Sequence, residues 1–93
     1  MRRAAKIDRN QPEIVAALRK AGCTVESLAA VGNGVTDLLV GRANTNYLLE
    51  VKDGERPPSE RKLTKDQEKW HAAWRGHKAI VNNVQEALEA VGL

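Results

Sequence analysis

The sequence predicts a single α/β domain whose elements run αβββαβα, and three observations carry that prediction. A chain of 93 residues has room for one lean hydrophobic core and none for a second domain. Apolar residues make up 42% and charged residues 29%, a globular balance with no polar stretch long enough to be a tail. Two apolar runs, Leu38-Leu39-Val40 and Leu48-Leu49-Glu50-Val51, lie between segments whose apolar residues recur at helical spacing.

The first helix starts at Asn10, with Glu13 three residues on and Pro12 in the first turn; Ile14, Val15 and Leu18 form its apolar face and Gly22 ends it. Cys23 to Ala29 is short and apolar enough for a strand, and Gly32-Asn33-Gly34 is a turn signal. Two strands follow, Thr36 to Val40 and Tyr47 to Lys52, separated by Gly41-Arg42-Ala43-Asn44-Thr45-Asn46, which has the composition of a hairpin loop. Asp53 to Lys62 is a charged loop containing Pro57 and Pro58. Thr64 with Gln67 is a capping pair for a second helix, which runs to Arg75 with Gly76 as its stop and with Trp70 and Trp74 on its buried face. Lys78 to Val81 is a fourth strand, and Asn83 with Glu86 opens a last helix carrying Val84, Leu88 and Val91.

Composition narrows the function classes. The lone Cys23 supports neither an internal disulfide nor a zinc cluster and is expected in the core. The N-terminus MRRAAKIDRN has no apolar h-region, and no run approaches ~20 apolar residues, so neither a signal peptide nor a membrane span is expected and the protein is read as intracellular. Net charge is +3, but it is unevenly placed. Residues 1–20 hold six Lys/Arg against two Asp/Glu and residues 52–78 eight against five, whereas residues 21–51 hold one against three. An acidic centre between basic flanks suits a metal site acting on a phosphodiester, and it also suits an ordinary mixed-charge surface.

The hairpin poses an energetic problem. If Gly41 pairs with Asn46, Asp37 faces Glu50, and two carboxylates directly opposite on a sheet repel. At ~4 Å and an effective dielectric of ~20 the cost is about 4 kcal/mol. A divalent cation between them would remove it, and hard oxygen ligands suit Mg²⁺ or Mn²⁺ better than zinc. Lys52, two residues beyond Glu50, shares its strand face. Its ammonium would orient or deprotonate an attacking water and stabilise a phosphorane-like transition state. A solvent-facing edge hairpin, with Lys52 pairing across the strand, would explain the same spacing. Against it, both strands are apolar on both faces, as central strands are.

Val35-Thr36-Asp37, then Glu50-Val51-Lys52 thirteen residues after Asp37, then Gln67 on the next helix, resembles the PD-(D/E)XK nuclease superfamily. The likeness is closest to its small virus-type replication-repair (VRR-NUC) branch of phages and bacteria, and it spans the chain from Asn10 to Gly76. The resemblance implies a restriction-endonuclease-like αβββαβ core with a C-terminal helix, a central mixed sheet flanked by helices. It also implies catalytic Asp37, Glu50 and Lys52, with the Val51 carbonyl near the metal, Mg²⁺ or Mn²⁺. The family usually has Pro before its first acidic residue where this chain has Thr36; Gly34 and Val35 are expected to supply an equivalent approach to the strand.

The resemblance adds Glu13 as a first-helix carboxylate that reaches the metal or its water, although Glu13 would also serve as a helix cap. Gln67 is open in the same way between the capping box and the site. His71, one turn later, either lines the site or is a partly buried structural histidine; His77 is read as a loop residue. Arg56, Arg61, Lys62, Lys65 and Lys69 would hold a nucleic-acid backbone. Trp70 and Trp74 are read as core. The function these features imply is metal-dependent hydrolysis of DNA phosphodiester bonds in the cytoplasm of a bacterial or phage-infected cell. So small a domain would act as a homodimer, whose two-fold-related sites suit branched or four-way junction DNA. The rival readings are a non-catalytic nucleic-acid-binding or replication-partner module on the same fold, and an enzyme acting on RNA.

Overall fold

The computed structural model describes residues 7–93, so Arg2, Arg3 and Lys6 of the basic N-terminal flank lie outside the described residues. The elements are α1 (Gln11–Lys20), β1 (Thr24–Ser27), β2 (Leu38–Arg42), β3 (Thr45–Val51), a 3₁₀ turn at Pro58–Glu60, α2 (Lys65–Ala73), β4 (Lys78–Val81) and α3 (Val84–Ala90). The expected αβββαβα order is observed. The strands form one mixed sheet in the order β1-β2-β3-β4, antiparallel except for the parallel pairing of β3 with β4. Among the described residues, no helix is long and apolar enough to cross a membrane.

β2 and β3 are the central strands, as their continuous apolar runs require. Alternation divides the sheet cleanly. Val25, Leu38, Val40, Leu49, Val51 and Val81 point to one face and are buried there with Ile14 and Leu18 of α1, Cys23, Ala87 of α3 and Val91 just beyond it. α1 and α3 pack on each other and on the outer strands β1 and β4. The opposite face carries Leu39, Leu48, Glu50 and Ile80, and here only part of the sheet is covered, by α2.

The β2–β3 turn is tighter than its composition suggests. The strands run on to Arg42 and Thr45, leaving the two-residue turn Ala43-Asn44, both with positive φ (50° and 63°). That is the turn geometry whose twist matches paired strands. The register is unaffected: Gly41 pairs with Asn46 and Leu38 with Leu49. β1 is confined to Thr24–Ser27 and α2 stops at Ala73, both shorter than expected.

Two expectations are corrected. Asn10 sits at the start of α1 but makes no capping bond. Its Nδ2 instead donates to the carbonyls of Lys52 and Asn82, both at 3.0 Å, tying the helix to the ends of β3 and β4. Trp70 and Trp74 do not share a buried face: Trp74 is 43% exposed, and the two rings stack on each other at 5.0 Å. Because α2 ends at Ala73, Trp74 leaves the helical path with extended backbone.

Candidate active site

Strand alternation turns Glu50 away from the core that holds Leu49 and Val51, yet Glu50 is only 1% exposed because α2 lies over it. The docking of α2 starts at Gly34. Its φ is +81°, and a Cβ there would stand 2.2 Å from the Asp66 carbonyl oxygen, so the turn before β2 packs backbone to backbone on the first turn of α2. Thr64 then caps the helix: its hydroxyl accepts from Gln67 N at 3.2 Å, while Gln67 Oε1 accepts from Thr64 N at 2.9 Å.

Gln67 completes the capping box and also touches Lys52 and Glu50. The oxygen that completes the cap also accepts from Lys52 Nζ at 3.0 Å, and Gln67 Nε2 donates to Glu50 Oε2 at 3.2 Å. Lys52, with a side chain 12% exposed, stands 3.9 Å from the same Glu50 oxygen. Asp37, one residue before β2, is held in ladder fashion. Its N–H donates to Leu49 O at 3.1 Å, its carbonyl accepts from Leu28 N at 2.8 Å, and its Oδ2 accepts from Val51 N at 2.7 Å. The observed register therefore sets Asp37 beside Glu50, which in turn meets Lys52 and Gln67, while the Val51 side chain lies in the core and its backbone N–H reaches Asp37.

The repulsion expected between the two carboxylates is met within the chain. Burial first, then a hydrogen bond with Asp37 and the Asp37 charge, push the Glu50 carboxyl up to about 8, with Lys52 acting in the opposite direction. A raised carboxyl favours the neutral form of Glu50, which lessens the repulsion between the two side chains. The Asp8 charge also raises Glu50, a contribution the sequence did not announce because Asp8 precedes α1 and belongs to no recognisable spacing.

His71 is placed against this group. It is 8% exposed, and its Nε2 stands 3.7 Å from Glu50 Oε1; neither atom has a hydrogen-bond partner among the described residues. Burial, followed by the charges of Lys78 and Lys52, lowers its pKa, so the ring is neutral at neutral pH. Its spacing of four from Gln67 was the available signal.

The other predicted residues are distributed around this centre. Glu13 is exposed on α1 and lines a separate cleft with Asn10, Asp53, Gly54, Glu55, Asn82 and Asn83. Arg56 is paired with Glu60 at 3.0 Å and stands 3.9 Å from Asp53. Arg61 is half-buried, with an Nε that has no hydrogen-bond partner among the described residues. Lys62, Lys65 and Lys69 are exposed. His77 is exposed and tilts against Tyr47, as a loop residue should.

Among the described residues, no three His, Cys, Asp or Glu side chains gather closely enough to hold a metal ion by themselves. The donor chemistry nonetheless fits a divalent cation: a buried carboxylate oxygen without a hydrogen-bond partner among the described residues, Glu50 Oε1, lies beside a second carboxylate. Mg²⁺ in particular needs only one or two carboxylates, completing its shell with water and substrate oxygens.

No family model, curated protein or solved structure matches this chain.

Proposed function

We propose that this chain is a metal-dependent nuclease that hydrolyses DNA phosphodiester bonds. The observation supporting this most is the burial of Glu50 beside Lys52 and Asp37 at the edge of the uncovered sheet face. A buried carboxylate that must keep a proton costs stability, and strained protonation of this kind concentrates at functional sites.

Asp37 and Glu50 would hold Mg²⁺ or Mn²⁺, with the Val51 carbonyl as a backbone ligand. The bound ion supplies polarisation of a phosphoryl oxygen and a water acidic enough to attack. Lys52 provides positive charge where the transition state gains negative charge, and Gln67 fixes the ammonium by accepting from it. Lys62, Lys65 and Lys69 offer exposed cations to the nucleic-acid backbone. Ile80, which pairs with Glu50, and Trp74 are both exposed and give apolar area that a second copy would cover, which favours a homodimer acting on branched or junction DNA.

A non-catalytic binding module is the second reading. It is favoured by Asp37 and Lys52 already having partners within the chain. The separating experiment is cleavage of supercoiled plasmid and of a four-way junction with Mg²⁺, Mn²⁺ or EDTA, comparing the natural chain with Lys52→Ala. Metal-dependent cutting lost on substitution supports the nuclease; binding of both DNAs without cutting supports the module.

A further inference from the structure

Glu50 Oε1 and His71 Nε2 are two buried polar atoms, 3.7 Å apart, facing one another with no hydrogen bond to either among the described residues. Leaving even one such atom unsatisfied costs roughly 1–3 kcal/mol. The rest of the group is saturated differently: Glu50 Oε2 takes Gln67 Nε2 and lies near Lys52, and Asp37 Oδ2 takes the Val51 N–H. Within the group formed by Asp37, Glu50, Lys52, Gln67 and His71, the unsatisfied atoms of the described residues thus face each other across one gap, between a carboxylate oxygen and an imidazole nitrogen.

The gap has the chemistry of a mixed oxygen and nitrogen site. The two atoms are too far apart for a direct hydrogen bond. A transition-metal ion held by both would satisfy the carboxylate oxygen and the imidazole nitrogen together. Lys78 helps fix the imidazole's helix: its ammonium donates to the carbonyls of His71 and Trp74, closing the C-terminal end of α2. Gly34 and the Thr64 cap fix the other end.

We propose that His71 is a nitrogen ligand of the bound ion, beside Glu50, and that it biases the site toward Mn²⁺ and against Mg²⁺. This rests on the metal-dependent reading above and deepens it. Imidazole suits transition metals, whereas Mg²⁺ favours an all-oxygen shell. A site of Asp37, Glu50 and backbone oxygen alone would discriminate much less between the two ions.

The test is electron spin-echo envelope modulation of Mn²⁺ added to the intact chain. His77→Gln, an exposed change, leaves His71 as the one histidine of the two in the sequence. In that background, directly bound ¹⁴N should modulate the Mn²⁺ echo, and selective ¹⁵N-histidine labelling should change the pattern. His71→Gln should abolish it and weaken Mn²⁺ binding by about tenfold or more, with Mg²⁺ binding little changed. The labelling result needs no change at position 71, so misfolding of that variant cannot produce it. Mn²⁺ that binds in an Asp37-dependent manner, with an echo indifferent to histidine labelling, overturns the role of His71 and leaves the nuclease reading standing. No Mn²⁺ binding overturns both. Histidine-dependent modulation in a chain that cuts no DNA keeps the metal site and removes the nuclease.

Discussion

Lys52 Nζ donates to Gln67 Oε1 at 3.0 Å, and that same oxygen accepts the N–H of Thr64 that starts α2. One amide therefore links a helix cap to the ammonium beside Glu50. Gln67→Ala should lower stability by about 1 kcal/mol through the cap, and it should also free Lys52. Thr64→Ala removes the opposing arm of the cap and leaves the lysine bond intact. Denaturant unfolding should give similar losses for the two variants, while DNA cleavage should fall much further for Gln67→Ala.

Gly34→Ala tests how α2 is docked. The added Cβ would meet the Asp66 carbonyl oxygen at 2.2 Å on backbone with φ of +81°. A loss of about 2 kcal/mol or more is expected from strain and overpacking together. Gly22→Ala provides the comparison, since its φ is also positive but no atom lies within 4 Å. It should cost less in the same thermal melts.

Ala43 occupies the left-handed region at φ of 50°, in a turn that glycine or asparagine fits better. Ala43→Gly should stabilise the hairpin by about 0.5–1 kcal/mol, the relieved Cβ strain exceeding the added freedom of the unfolded chain. Equilibrium unfolding in urea checks the sign.

Stability of the metal-free protein should depend on pH through Glu50. The native carboxyl keeps its proton up to about 8, whereas its ordinary value is 4.5. Between those values the native state binds more protons than the unfolded one, so this group's contribution to stability falls as pH rises and levels off above the upper value. Glu50→Gln should abolish that decline: in EDTA its melting temperature should exceed that of the natural chain at pH 9, with little difference at pH 5.

The sequence displayed much of this arrangement because its signals were local. Apolar runs marked β2 and β3 as central, and Gly41 opposite Asn46 set the register that carries Asp37 to Glu50. Thr64 and Gln67 announced their cap. What stayed hidden depends on contacts distant in sequence. Asn10 looked like a cap but binds the carbonyls of Lys52 and Asn82, and Trp74 looked buried but lies beyond the last turn of α2. Gly34 read as a turn residue, with nothing to show that Asp66 would pack on it. His71 was visible only as a residue one turn after Gln67, and its approach to Glu50 requires the whole α2 docking.

The most direct measurement is the single-turnover rate of DNA cleavage with Mn²⁺ for the natural chain and for Lys52→Ala, with DNA affinity measured on the same samples. Lys52 is held over Glu50 by Gln67, so its loss should slow cleavage by about a hundredfold or more while affinity stays nearly the same. Equal rates in the two proteins would contradict the assignment of Lys52, and with it the catalytic reading of the Asp37, Glu50 and Lys52 group.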